Sequence, residues 1–213
     1  CKFFSFNILP EYDIFSEQFV INSIIEIRKS FLKIYNIIMV LHYFNKKENK
    51  DKIIARRIYK DIIVNVKFIL NKNNLLIKKN FNSSFELIVI FLFIVLISYK
   101  TKKENLQINQ ILFEIFINDL DKSLREEGIG DMSIGKYVKS YVKKAYFRFK
   151  KLEIIIKDNN FNEFNKFIKK INIQDIKKDN FILSDYLFSY IKKLLKKAKK
   201  EEISKFKFNK NMN

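Results

Sequence analysis

The sequence predicts an all-α protein, and three observations predict it. The 213 residues contain one proline and three glycines. An all-β chain needs turn residues about every 8–12 positions, so it would use many more. Apolar residues recur at spacings of three and four over most of the length. Hydrophobic residues make up 48% of the chain, which supports a packed core and argues against global disorder. The expectation is a single compact multi-helix domain with a buried hydrophobic central helix and a basic C-terminal helix.

The elements follow in chain order. Residues 1–18 read as an irregular lead. Residues 19–45 read as an amphipathic helix, with Ile24, Ile27, Phe31, Ile34, Ile38 and Leu41 on one face. Residues 45–52 are polar and charged and read as a linker. Ile54, Ile58, Ile62 and Val66 predict a helix over 53–70. Breaks are expected at 71–74 and 78–84, with Ser83 or Ser84 capping the next helix and Glu86 in its first turn.

The run from Leu87 to Ile97 is continuously apolar. It is shorter than the ~20 residues a bilayer requires and is flanked by Glu86 and by Lys100, Lys102 and Lys103. A buried central helix is the first reading; a membrane-inserted segment and a buried strand are the others. Helices are then expected over 105–127, 134–151, 161–171 and 181–204, with Asn159 and Asn160 as a break. The domain organisation is an N-terminal extension (1–50), a central domain (54–175) and a basic amphipathic tail (177–213).

The chain carries 42 Lys and Arg against 23 Asp and Glu, a formal charge of +19. Such a field attracts RNA, anionic lipid or acidic proteins. Lys far outnumbers Arg, which weakens bidentate reading of DNA bases. The bias toward Lys, Asn, Ile and Phe fits an AT-rich coding sequence. Cys1 is the only cysteine, so no intramolecular disulfide forms, in keeping with a reducing compartment. A start at Cys rather than Met reads as a fragment or a processed form.

No catalytic constellation is visible, and the expectation is a protein without enzymatic activity or cofactor. His42 is the only histidine and lies mid-face in an apolar helix. One Cys and one His cannot supply a zinc site. Gly128-Ile129-Gly130 follows a helix rather than a strand, which excludes a dinucleotide fingerprint. The C-terminal segment is the second feature of interest. Leu187, Ile191, Leu194, Leu195 and Ala198 form an apolar stripe, while Lys192, Lys193, Lys196, Lys197, Lys199 and Lys200 cover the other faces. From residue 177 onward eleven lysines face four acids. This pattern suits an anionic membrane surface or a phosphate backbone; a solvated last helix packed on the core is the plainer reading.

All three glycines lie between 128 and 135. Capping explains them in part. Gly128 or Gly130 takes the left-handed conformation after one helix, and Asp131 or Ser133 caps the next. Asp121 and Arg125, four apart, pair on the helix surface. Capping does not explain the order of Asp119, Asp121, Arg125, Glu126 and Asp131 around the glycines.

That order resembles the ubiquinol–cytochrome c chaperone family. The family's signature has an Asp-Met-Asp, a Leu-Arg-Glu, a Gly-Val-Gly-Asp and a Lys-rich helix start. The chain supplies Asp119-Leu120-Asp121, Leu124-Arg125-Glu126, Gly128-Ile129-Gly130-Asp131 and Gly135-Lys136 in that order. Arg57-Ile58-Tyr59, Phe85-Glu86-Leu87-Ile88-Val89 and Ala145-Tyr146-Phe147-Arg148 resemble flanking elements, and the resemblance spans roughly 54–175. A histidine in the hydrophobic helix is replaced near Phe91. The glycine of the Phe-Tyr-Gly-Arg element is missing at Arg148. A Pro and a Gly-Arg pair around 70–84 are absent.

The resemblance implies an all-helical assembly chaperone for respiratory complex III, with newly made cytochrome b as client. It implies a small partner assembly factor and the ribosomal exit site, with its rRNA, as further partners. An anionic membrane surface is a possible neighbour, and DNA is not expected. It implies a peripheral location on the matrix side of the mitochondrial inner membrane, or on the cytoplasmic face of a bacterial inner membrane. The residues that would form the partner surface are Asp119, Asp121, Leu124, Arg125, Glu126, Gly128, Gly130, Asp131 and Lys136.

Overall fold

Among the described residues, six helices alternate with short connections. The structure, a computed structural model, describes residues 50–100, 105–174 and 181–208. The chain divides into two units, Cys1–Glu48 and Asn49–Asn213, and every described residue belongs to the second. The helix expected over 19–45, with Cys1 and His42, lies outside the described residues.

Helix α1 is Lys50–Leu70 and buries Ala55, Ile58, Tyr59, Ile62, Val66 and Ile69; of the four residues read from the sequence, Ile58, Ile62 and Val66 are buried and Ile54 is half-buried. It starts inside the polar run expected as a linker. Asp51 in its first turn and Lys67 in its last complement the helix dipole. A single 3₁₀ turn, Asn73–Leu75, and a left-handed Leu76 follow.

Helix α2 is Phe81–Ser98. Its cap corrects the sequence reading. Asn80, rather than Ser83 or Ser84, stands at the N-cap, and its side-chain oxygen accepts from the Ser83 amide at 2.9 Å. Asparagine at this position reaches the third helical amide, so the helix begins earlier. Both serines fall inside the first turn and Glu86 in the second. Every residue from Phe85 to Val95 except Ile88 is buried. Helices α1, α4 and α6 pack around it. The apolar run is therefore the central helix of the core. It is also the one described helix long and apolar enough to cross a membrane; neighbouring helices, rather than lipid, cover it.

Helix α3 (Leu106–Glu126) lies along α1 and turns into α4 (Asp131–Lys157). Helix α4 starts three residues before, and ends six after, the expected 134–151. Its end shows how the chain turns with few glycines. Asn159 takes the left-handed conformation at φ +49°. The Asn160 amide donates to Ile155 O and the Asn159 amide to Ile156 O, the paired bonds of a Schellman cap. Asn160 then caps α5 (Phe161–Ile171) by accepting from the Glu163 amide at 3.1 Å.

Helix α6 is Phe181–Ala198, shorter than the expected 181–204. Leu187, Ile191, Leu194 and Ala198 are buried against α2 and α5. The chain then folds back, and Ile203, Phe206 and Phe208 are buried in turn. Phe206 meets Tyr99 edge-on at 5.9 Å and Phe208 meets Phe91 at 5.7 Å. Each such buried side chain contributes about 1.5–3 kcal/mol. The apolar residues of the described part of the basic C-terminal segment are thus built into the core, while most of its lysines stay exposed. An antiparallel bridge, with the Lys78 amide donating to Ile173 O at 2.9 Å, ties the segment before α2 to that after α5.

Candidate functional site

The corner between α3 and α4 is where the ordered acidic motif falls. Helix α3 ends in a Schellman cap: the Ile129 amide donates to Leu124 O and the Gly128 amide to Arg125 O. Gly128 supplies the required positive φ, +90°. Gly130 is the N-cap of α4 at φ −71° and offers no side-chain bond. The expected Asp131 or Ser133 cap does not form, because the helix starts at Asp131 itself. There its carboxylate favours the positive end of the dipole. Ser133 Oγ donates to Gly130 O.

Arg125 joins the two helices across this turn. Its Nε donates to Asp121 Oδ2 at 2.7 Å, one turn back on α3, and its Nη1 donates to Asp131 at the start of α4. These two carboxylates raise the guanidinium pKa above its ordinary value. Asp119 faces α1, where Tyr59 Oη donates to its Oδ2 at 2.7 Å. Burial and this carboxylate push the Tyr59 hydroxyl pKa far up.

The structure thus divides the candidate surface residues. Arg125, Glu126, Gly128, Gly130, Asp131 and Lys136 are exposed, and Asp119 and Asp121 are half-buried. Leu124 is 2% exposed and lies under the corner, not on it, because position 124 continues the buried stripe of Leu112, Phe116 and Leu120. The sequence reading missed Met132, which projects fully into solvent at 103% relative exposure. It also missed a shallow groove of about 510 Å³ beside the corner, lined by Lys67, Lys79, Asn80, Ser123, Glu126 and Glu127 among others.

A second site was also missed. Glu86 is completely buried. Its carboxylate accepts from Arg148 Nε at 2.9 Å and Nη2 at 3.0 Å, and from Lys144 Nζ at 2.9 Å. Both cations come from α4, 58 to 62 residues away in sequence. A signal existed: Arg148 shares the stripe of Ala145, Leu152 and Ile155, and Glu86 sits between Phe85 and Leu87. Opposite charges on the apolar faces of two helices point to each other.

Lys144 and Arg148 also form the floor of an open groove of about 730 Å³ between α4 and α5, lined further by Lys143, Lys151, Lys166 and Lys170. On α6, Lys192, Lys193 and Lys196 are exposed, as are Lys199 and Lys200 just beyond its end, and half-buried Lys197 donates to Lys207 O. Among the described residues, no group of three His, Cys, Asp or Glu stands close enough to hold a metal ion.

The motif around the corner matches a known pattern. The family model described as Ubiquinol-cytochrome C chaperone matches residues 73–163, from the 3₁₀ turn before α2 into the first turn of α5. Residues 73–163 carry the pattern of the ubiquinol–cytochrome c chaperone family. The fold agrees. A crystal structure of the Cbp3 homolog from Brucella abortus superposes with a TM-score of 0.66 at 18% identity, covering 80% of this chain and 96% of that one. A search of curated proteins by sequence returns no match.

Within the matched residues and their surroundings, the fragments that carried the resemblance turn out to hold each other. Tyr59 holds Asp119, Glu86 holds Arg148, and Arg125 holds Asp121 and Asp131. Arg57 adds a tie from α1 to Ser204 O at 2.7 Å. Much of the signature is therefore the wiring of the helices, and a smaller part of it faces solvent.

Proposed function

We propose that the chain is an assembly chaperone for the cytochrome bc complex and that its client is newly synthesised cytochrome b. The observation that carries this reading is the family match over 73–163, which includes the whole α3–α4 corner. The client or partner surface is that corner. Glu126, Met132 and Lys136 supply the contacts. Asp119, Asp121, Leu124, Arg125, Gly128, Gly130 and Asp131 fix the shape that presents them. A fully exposed methionine amid charges suits an apolar client, because its flexible thioether adapts to varied partners. The protein works peripherally, on the matrix side of the mitochondrial inner membrane or the cytoplasmic face of a bacterial one.

The test is a photoreactive residue at position 132 or 136 during translation. Capture of nascent cytochrome b, with loss of the cytochrome b band from membrane difference spectra on deletion, is the expected result. Intact cytochrome b in the deletion strain would refute the reading.

A second reading, a basic helical protein binding RNA or a membrane surface without a specific client, rests on the exposed lysines of α6. The apolar stripe of that helix is buried, and the exposed Phe181 and Ile182 at its start are too short a face to lay the helix into a bilayer interface. Neutralising Lys192, Lys193, Lys196 and Lys199 separates the readings: the client-based function survives, and the charge-based one is lost.

A further inference from the structure

We propose that the groove between α4 and α5 binds single-stranded RNA without sequence preference. The inference is independent of the identity of the chaperone's client. Six cations line the groove: Lys143, Lys144, Arg148, Lys151, Lys166 and Lys170. Two carboxylates answer them, and each is shared between two cations. Glu86 takes Lys144 and Arg148, and Glu163 takes Lys151 at 3.2 Å and Lys166 at 2.8 Å. The groove keeps a surplus of four positive charges. From Lys143 to Lys151 it runs about 12 Å along α4, at 1.5 Å per residue.

The chemistry of the occupant follows from what the walls offer. Both walls are helical, and the amides of their lining residues are committed to helix bonds or, at Glu163, to the Asn160 cap, so they cannot pair with a peptide. Most of the polar groups on offer are lysine ammoniums, which meet phosphates as point charges. Arg148, the one guanidinium, is spent on Glu86. Within the charged rim stands Phe147, 58% exposed, with Lys143 Nζ 6.0 Å from its ring centre. A cationic groove with an exposed ring is the arrangement that follows a nucleic-acid backbone and stacks its bases. A flat bilayer has no need of a groove, and an acidic helix brings no base to stack on Phe147.

The experiment measures binding of a fluorescent 12-mer of uridylate to the full chain between 50 and 200 mM salt. The triple variant Lys143→Gln, Lys166→Gln, Lys170→Gln is expected to weaken binding at least tenfold. It should also flatten the slope of log K against log salt by about 2, three phosphate contacts at about 0.7 each. Phe147→Ala is expected to weaken binding about tenfold while leaving the slope unchanged. A triple variant of equal charge on α6, Lys192→Gln, Lys193→Gln, Lys196→Gln, should do neither. All substituted side chains are exposed, and thermal melts check that each variant folds.

Equal losses in the two triple variants would show attraction by bulk charge and overturn the proposal. So would an unaffected Phe147→Ala. So would a groove variant that loses binding to polyglutamate or phosphatidylserine vesicles yet keeps the uridylate.

Discussion

Replacing Arg148 with Met should destabilise the fold by about 3 kcal/mol, and the figure follows from the site around Glu86. The carboxylate is fully buried and accepts three hydrogen bonds, two of them from Arg148. Removing one partner of a buried ion pair costs about 3–5 kcal/mol, because the remaining charge stays out of water. Lys144 survives as a partner here, which places the loss at the low end. Against a total stability of about 5–15 kcal/mol, this is a large fraction. The double variant Glu86→Leu with Arg148→Met removes both charges and should cost only about 1 kcal/mol, since apolar replacements of buried pairs are close to neutral. Urea unfolding of the full chain measures both. With a slope of about 2 kcal/mol per molar, the single variant's midpoint falls by about 1.5 M. A single-variant loss below about 1 kcal/mol, or a double variant equal to the sum of its singles, would refute the reasoning.

Four further substitutions probe the turns and tyrosines. Gly128→Ala forces an L-residue to φ +90° and should lower stability by about 1–2 kcal/mol. Gly135→Ala, inside α4 with nothing within 4 Å of an added methyl, should raise it by up to about 1 kcal/mol. Differential scanning calorimetry gives both signs. Burial pushes the Tyr99 and Tyr146 pKa values up to about 12. The folded state therefore holds these protons longer than the unfolded chain, and their contribution is complete below pH 10. It is lost as pH rises from about 10 to 12; Tyr146→Phe should make the stability curve flatter across that window. Tyr59→Phe removes the bond to Asp119 and should cost about 1 kcal/mol, read from the urea midpoint.

The helices were legible because burial imposes a period on apolar residues, and that period survives a strong compositional bias. Ile54, Ile58, Ile62 and Val66 announce α1 without help from propensity. The run from Leu87 to Ile97 announced a buried helix, since 11 continuous apolar residues leave no polar face for solvent. Caps were less legible. Asn80, Ser83 and Ser84 can all cap, and only the backbone at Asn80 decides which does. The order of charges around the glycines was visible, but its meaning was not. Asp119 reads as surface until Tyr59, 60 residues earlier, is placed over it. Glu86 likewise read as a flank of the apolar run. Periodicity follows one helix at a time, whereas these pairs are made between helices.

The central position of α2 has a consequence for how the protein is made. The chain of α2 is complete at Ser98, but its covering helix α6 ends at Ala198. At about 5–20 residues per second, the ribosome needs about 5–20 s to supply those 100 residues. Throughout that interval an 18-residue apolar helix is available to any membrane-insertion machinery in reach. The charge that marks it as internal, Glu86, gains its partners only when α4 emerges. A protein whose proposed task is to shelter a hydrophobic newborn chain must first pass through that same exposure itself.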